Sequence, residues 1–416
     1  MCFIKKIFCL MLSVCLCALP CVASADEMPD DAVDDRIVTE FNSPDLTDPI
    51  TFDATETVAG VGATLEIPAK SYILMEVNTG EILYESDSHL KLPPASITKV
   101  MALLLVVEAL ESGQLTLETM LTASPHACSM GGSQIWLEPN EQMSVNDLLK
   151  ASVIGSANDA TVVLGEALAG SEEGFVEMMN ERAEQLGLAD THFVNCTGLD
   201  AEGHLTSAHD IAVMSKELIK HDIIKQYSTV WMDSLRNGES ELVNTNKLVR
   251  YYEGCTGLKT GTTSGAGCCL SATAERQDLE LVAVVMGCST SNDRFNSARK
   301  LLDYGFANYT FVTVRADKEK LIEIPVKGGV SDFVTPVSDG NASFLIEKSK
   351  AKSLTVQTEL SESLKAPISA GQQVGVARVF VDGVEVGTVK ITAKESIEKM
   401  SFAESFKILL KNLFYV

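Results

Sequence analysis

In "PPASITKVMALLLVVEAL" a serine, Ser96, and a lysine, Lys99, stand three residues apart at the head of a long apolar run. On a helix that spacing sets both side chains on one face. A neutral amine there could take the hydroxyl proton and leave a nucleophile. The pair by itself decides little. The same spacing recurs at Ser88/Lys91, Ser297/Lys300, Ser349/Lys352 and Ser396/Lys399, and a serine before an apolar helix is a common cap. Two further signals follow in chain order. Ser156-Ala157-Asn158 offers a hydroxyl and an amide, and Lys259-Thr260-Gly261 offers a second cation beside a hydroxyl. Lys-Thr-Gly is expected about a tenth of a time in a chain of this length at average composition. It occurs once, at the entry to the strand read in "GLKTGTTSGAGCCLSATA".

The elements that would position these groups can be read from periodicity. Two alternating runs flank Asn78-Thr79-Gly80 in "SYILMEVNTGEILYES", the pattern of a hairpin. Helical segments follow: "SITKVMALLLVVEALESG" stopping at Gly113, "VNDLLKASVIG", "NDATVVLGEALAG", "EEGFVEMMNERAEQLG" and "TSAHDIAVMSKELIK", the last capped by Thr206 or Ser207. Strands return on either side of Arg276-Gln277-Asp278, and "RFNSARKLLDYGF" reads as a closing helix. The expected fold is therefore an α/β (α+β) domain, an antiparallel sheet built from both ends of the region around a helical block. Residues 311–395 change to short β segments, with a hairpin turn at Asp382-Gly383, and are read as a small all-β domain. In the tail, 396–416, Phe402, Phe406, Leu409, Leu410 and Leu413 recur at helical spacing. That amphipathic helix is too short to span a bilayer. It suits a membrane interface or a docked face equally well.

The chain has 416 residues, 46% of them hydrophobic, and a formal charge of −24. So acidic a protein is not expected to bind nucleic acid, which needs a basic face. Residues 1–25 have the three parts of an export signal: Lys5 and Lys6, the apolar "IFCLMLSVCLCAL", and Ala23-Ser24-Ala25. Pro20 argues against lipid attachment at Cys21. Cleavage would remove two lysines and five cysteines, leaving a still more acidic chain with Cys128, Cys196, Cys255, Cys268, Cys269 and Cys288. Spacing assigns no disulfides among them, and buried free thiols suit a core of this size. Residues 26–62 form an acidic linker without periodicity. No ligand spacing for a metal appears, and no cofactor is expected.

Taken together, Ser96…Lys99, Ser156…Asn158 and Lys259-Thr260-Gly261 form a trio known from penicillin-binding proteins and class A β-lactamases. With its flanks "PPASITKVMA", "SANDAT", "NCTGLDAEGHLTSAHDIA", "GLKTGTTSGAG" and "LLDYGF", the chain resembles the serine-type D-alanyl-D-alanine carboxypeptidases, the low-molecular-mass penicillin-binding proteins. The likeness runs from about residue 65 to the C-terminus. It implies a DD-peptidase domain over 63–310 and an exported enzyme on the outer face of the cytoplasmic membrane. Its substrate would be peptidoglycan stem peptides ending in D-Ala-D-Ala, its inhibitors β-lactams, and its membrane contact the C-terminal helix.

On that resemblance Ser96 is the nucleophile and Lys99 its base, the latter aided by burial and by Lys259. Ser156 relays a proton, Asn158 binds the substrate amide, and Lys259 with Thr260 receives the terminal carboxylate. Gly261 permits close approach, and the backbone N–H groups of Ser96 and Thr262 form the oxyanion hole. Ser96 is expected to cap its helix as well. His209 stands where some relatives carry arginine, and a surface or packed helix histidine is the plainer reading of it. A serine β-lactamase and a catalytically idle muropeptide or β-lactam sensor are the alternatives.

Overall fold

The computed structural model describes residues 58–315, 321–338 and 342–414. The expected signal segment and nearly all of the acidic linker lie outside them.

The first strands, β1 (Ser71–Glu76) and β2 (Ile82–Ser86), pair antiparallel around the Asn78-Thr79-Gly80 turn. Glu76 explains why the chain turns there. Its buried carboxylate accepts from the backbone N–H of Asn78 (3.0 Å) and of Thr79 (2.6 Å) and from the Thr79 hydroxyl (2.7 Å). Gly80 closes the turn at φ +75°, where a side chain would be strained. Some 170 residues later the chain returns as β3 (Cys255–Thr263), β4 (Gly267–Arg276) and β5 (Leu279–Cys288). The finished sheet is antiparallel, in the order β2-β1-β5-β4-β3. The Lys-Thr-Gly strand, β3, is thus an edge.

Helices cover both faces. On one lies the block between the sheet halves: α1 (Lys99–Glu111), α2 (Val145–Ile154), α3 (Asn158–Ala169), α4 (Glu172–Gln185) and α5 (Ala208–Ile219). On the other lies α6 (Ser291–Asn308). Caps fall where the chain offers short hydroxyl side chains. Ser207 Oγ accepts from Asp210 N at the start of α5, and Thr290 Oγ1 accepts from Asp293 N at the start of α6. Cys268 and Cys269 follow the alternation of β4, one packing under α6 and the other under the helical block. All six described cysteines are free thiols.

α1 differs from its neighbours in having no polar face in its first nine residues. Lys99 through Val107 are all buried. Each large aliphatic side chain so enclosed contributes about 1.5–3 kcal/mol, which fixes this helix as the axis of the block.

Beyond α6 the chain is β-rich. β6 (Tyr309–Val314) pairs with β7 (Ala342–Glu347). β8 (Thr355–Leu360), β9 (Gln373–Val381) and β10 (Val384–Ala393) form a sheet with Pro336–Ser338. These strands enclose a separate core around Val334, Ala377, Val379 and Ile391. β9 and β10 meet at Asp382-Gly383, both at positive φ (50° and 79°), as a two-residue hairpin demands. The last helix, α7 (Phe402–Phe414), leaves Phe402 86%, Phe406 51% and Leu409 62% exposed.

Candidate active site

Ser96 sits in a one-turn 3-10 segment, Ala95–Thr98, that runs directly into α1. Ala95 stands at φ +51°, so the chain enters the turn sharply and Ser96 stays partly open while its neighbours are buried. The cap expectation is corrected here. The N-cap positions are Pro94 and Thr98, neither making a side-chain cap bond, and Ser96 lies inside the turn. Its hydroxyl is turned instead towards Lys99, 3.0 Å away.

Lys99 has no exposed surface. Its Nζ also meets Asn158 Oδ1 at 2.6 Å and the Thr197 carbonyl at 2.9 Å. A neutral amine has two N–H donors and one lone pair. If those donors go to Asn158 and Thr197, the lone pair is left facing Ser96 Oγ.

Asn158 opens α3 and is itself held on three sides. Its Nδ2 donates to Gly131 O (2.6 Å) and its backbone N–H to Ser133 O (2.7 Å). The loop that supplies those carbonyls is pinned by Asp159, which sequence reasoning passed over. This buried carboxylate accepts from the N–H of Ile135 (3.2 Å) and of Leu137 (3.1 Å). Burial pushes its pKa up, and the backbone donors pull it back. Ser156, two residues before Asn158, is nearly buried and left-handed at φ +62°.

The edge strand β3 brings Lys259 and its neighbours against the same turn. A Cβ on Gly261 would lie 2.8 Å from Ser96 N and 2.9 Å from Ile97 N, so only glycine lets β3 pass this close. Lys259 is fully buried, and its Nζ donates to Thr260 O at 3.1 Å. The Thr260 hydroxyl donates to Thr245 Oγ1 (2.7 Å). Thr262 Oγ1 accepts from Arg294 Nη1 (2.8 Å), which also reaches Gly261 O at 3.3 Å.

Arg294, Thr245 and Thr197 were not singled out from sequence. Arg294 arrives from α6, Thr245 from the loop after the Met232–Val243 hairpin, and Thr197 acts through its backbone. His209 is engaged elsewhere, pairing with Asp210 (3.2 Å) and stacking on His89 at 4.4 Å between ring centroids. Partly exposed on α5, it fits the plainer reading of a helix histidine held by its neighbours. No cluster of metal ligands occurs among the described residues.

The loop carrying Thr197 also holds His204, which is buried. Val194 N–H donates to its Nδ1 (2.9 Å), so that nitrogen carries no proton and Nε2 must. Nε2–H then donates to Thr98 Oγ1 at 2.8 Å. Burial, with a smaller push from His192 against a pull from Asp200, lowers its pKa to about 4. In the unfolded chain the value is about 6.5. Above pH 6.5 the ring is neutral in both states. As pH falls from there towards 4 the unfolded chain takes up the proton first. This residue should therefore cost the fold up to roughly 3 kcal/mol of stability across that window. Urea unfolding at intervals from pH 7 to 4 measures the loss, and His204→Gln should remove that component.

A partly open serine hydrogen-bonded to a buried lysine, an amide on that lysine and a Lys-Thr-Gly edge strand against the same turn are the groups expected of a serine acyl-transfer enzyme of the penicillin-binding type. The D-alanyl-D-alanine carboxypeptidase family (peptidase S11) matches residues 56–290, and the C-terminal domain of penicillin-binding protein 5 matches residues 309–399. The chain is 39% identical over 343 residues to D-alanyl-D-alanine carboxypeptidase DacF of Bacillus subtilis, covering 82% of this chain and 88% of that protein. It is 33% identical to DacC of Escherichia coli, covering 85% and 89%. Among solved structures, penicillin-binding protein 5 of Haemophilus influenzae superposes with a TM-score of 0.69 at 30% identity, covering 81% of this chain and 99% of that one. The chain belongs to the D-alanyl-D-alanine carboxypeptidase family, extracytoplasmic serine hydrolases of the cell wall.

Proposed function

We propose that this DD-carboxypeptidase works through a Ser96 acyl-enzyme with Lys99 as the base. The observation that carries the reading is the surroundings of Lys99 Nζ: two acceptors that can hold a neutral amine, and Ser96 Oγ at 3.0 Å. Ser96 Oγ bonds to the carbonyl carbon of the penultimate D-alanine and its proton passes to Lys99. As the bond to the terminal D-alanine breaks, the leaving nitrogen takes a proton relayed by Ser156. Water then hydrolyses the ester and frees Ser96. The N–H groups of Ser96 and Thr262 receive the oxyanion, each such donor being worth about 10²–10³ in rate.

Lys259 and Thr260 take the terminal carboxylate, Asn158 the substrate amide, and the free edge of β3 the extended peptide. Arg294 supports the carboxylate site with a second buried cation beside Thr262. The test is D-alanine release from a diacylated Lys-D-Ala-D-Ala peptide. Release should stop in Ser96→Ala and be blocked by benzylpenicillin. Benzylpenicillin hydrolysis without release would instead make this a β-lactamase, and stable labelling without release a sensor.

The division of labour follows the chain: 63–310 for the peptidase, 311–395 for the β-rich domain, and 396–416 for attachment to the outer face of the membrane. No helix among the described residues is long and apolar enough to cross a bilayer. The exposed Phe402, Phe406, Leu409 and Leu410 on α7 suit an interfacial helix. In vesicle flotation, Phe406→Glu with Leu409→Glu should lower binding by roughly tenfold or more, leaving release from a soluble peptide unchanged.

A further inference from the structure

The Ser96 turn is gripped by one loop, residues 194–204, at three points. Thr197 O holds Lys99 Nζ. Gly198, at φ +91°, lies so close to Ala95 that a Cβ would overlap its carbonyl oxygen. His204 Nε2 holds Thr98 Oγ1. The loop is itself stiff. Asn195 Oδ1 accepts from Gly198 N (2.7 Å) and Thr197 N (3.2 Å), and Asn195 Nδ2 donates to Leu199 O (2.8 Å).

Of the three grips, only that of His204 is a side chain reaching a side chain of the turn. Thr98 is the residue between nucleophile and base that carries a hydroxyl, and it is fully buried. The contact spans 106 positions of sequence. With Val194 N–H fixing the tautomer, the imidazole can only donate to Thr98. It therefore sets where the Ser96–Lys99 segment sits along the loop.

We propose that His204 is a positioning residue for the acylation step. Through Thr98 it holds Ser96 and Lys99 in register with Thr197 and Asn158, and it touches no substrate atom itself. Losing the contact lets the turn shift relative to the carbonyl that holds Lys99, lengthening the Ser96–Lys99 separation. Displacements of about 1 Å at reacting groups cost up to roughly a hundredfold. The substrate carboxylate site on β3 is untouched, so the loss falls on kcat and not on KM. The groups facing the ring are His192, Asp200 and the Phe193 ring at 5.9 Å. Among the described residues, none of these three donates to Thr98 Oγ1 in place of His204.

The inference rests on the reading of Ser96 as the acylated residue, and the experiment separates the two. Benzylpenicillin acylation and kcat and KM for D-alanine release are measured for wild type, Ser96→Ala, His204→Leu, His204→Gln and Thr98→Val. His204→Leu should lose roughly tenfold to a hundredfold in acylation rate and in kcat with KM within twofold. Thr98→Val should show the same loss. His204→Gln, which keeps a donor at the position of Nε2, should recover most of it. The double variant His204→Leu/Thr98→Val should be no worse than either single one. If Thr98→Val acylates at the wild-type rate, the proposal falls, even where His204→Leu fails to fold. It falls equally if Gln is as poor as Leu, or if the two single losses multiply. Persistent labelling of Ser96→Ala would instead remove the acyl-enzyme reading.

Discussion

Replacing Lys99 by methionine should leave a folded protein that neither releases D-alanine nor takes up benzylpenicillin at a useful rate. Methionine matches the length of the fully buried lysine stem at the head of α1, so the core to which Val100 and Leu103 belong is kept. What is lost is the group 3.0 Å from Ser96 Oγ. General bases contribute about 10²–10⁴ to rate, and the acylation constant should fall by that factor for peptide and antibiotic alike. Asn158 Oδ1 and Thr197 O would each lose a donor, at about 1–3 kcal/mol apiece for a buried group, so a lower melting temperature is part of the result. Lys99→Arg sharpens it. Guanidinium keeps the charge and the donors but does not deprotonate in proteins, so Arg should be as inactive as Met if the amine is the base. Mass spectrometry of the penicilloyl adduct over time, with circular dichroism as the folding control, reads both. An Arg variant acylating within a few fold of wild type would leave Lys99 a purely electrostatic role.

Gly198→Ala should be the more damaging of two superficially equal glycine substitutions in the same loop. Gly198 and Gly203 both stand at positive φ, +91° and +81°, and for alanine that conformation alone costs about 1–2 kcal/mol. Gly203 has open space around its Cβ position, whereas at Gly198 the methyl would overlap Ala95 O and crowd Ser96 N at 2.9 Å. Backbone cannot step aside as a flexible side chain can. The loop must back away, taking the Thr197 carbonyl with it. Gly203→Ala should therefore show a shift of about 1 kcal/mol in urea unfolding and ordinary activity. Gly198→Ala should add several kcal/mol, or lose acylation by more than tenfold. Equal behaviour of the two would sink the account of the loop as a mould for the Ser96 turn.

The groups that sequence made visible are those whose chemistry is unusual for their place. A Ser-x-x-Lys pair ahead of an apolar helix, a Ser-x-Asn between helices and a Lys-Thr-Gly at a strand entry can be noticed one by one. The structure gathers Ser96, Lys99, Asn158 and Gly261 around one turn. The hairpin turns were equally plain, because Asn78-Thr79-Gly80 and Asp382-Gly383 need residues that tolerate positive φ. Beyond the two oxyanion N–H groups that the resemblance implied, contributions made by backbone were invisible. Thr197 enters through its carbonyl, and nothing in a threonine advertises that. Arg294 was hidden by distance, since its place beside Thr262 depends on α6 folding back against β3. Reading Ser96 as a cap failed because the 3-10 turn places Thr98, not Ser96, at the start of α1. A cap preference cannot foresee a turn of that kind.

The burial of α1 bears on how this enzyme ages. Lys99, the proposed base, is the first residue of a helix enclosed through Val107, and Ser96, the proposed nucleophile, is one turn earlier in the same segment. Among the described residues one continuous segment joins Ser96 and Lys99 to the centre of the domain, so the site is expected to melt with it. Loss of acylation on heating should follow the cooperative unfolding of the whole peptidase domain in one transition. A penicillin-labelling assay after a heat pulse would then serve as a census of intact molecules.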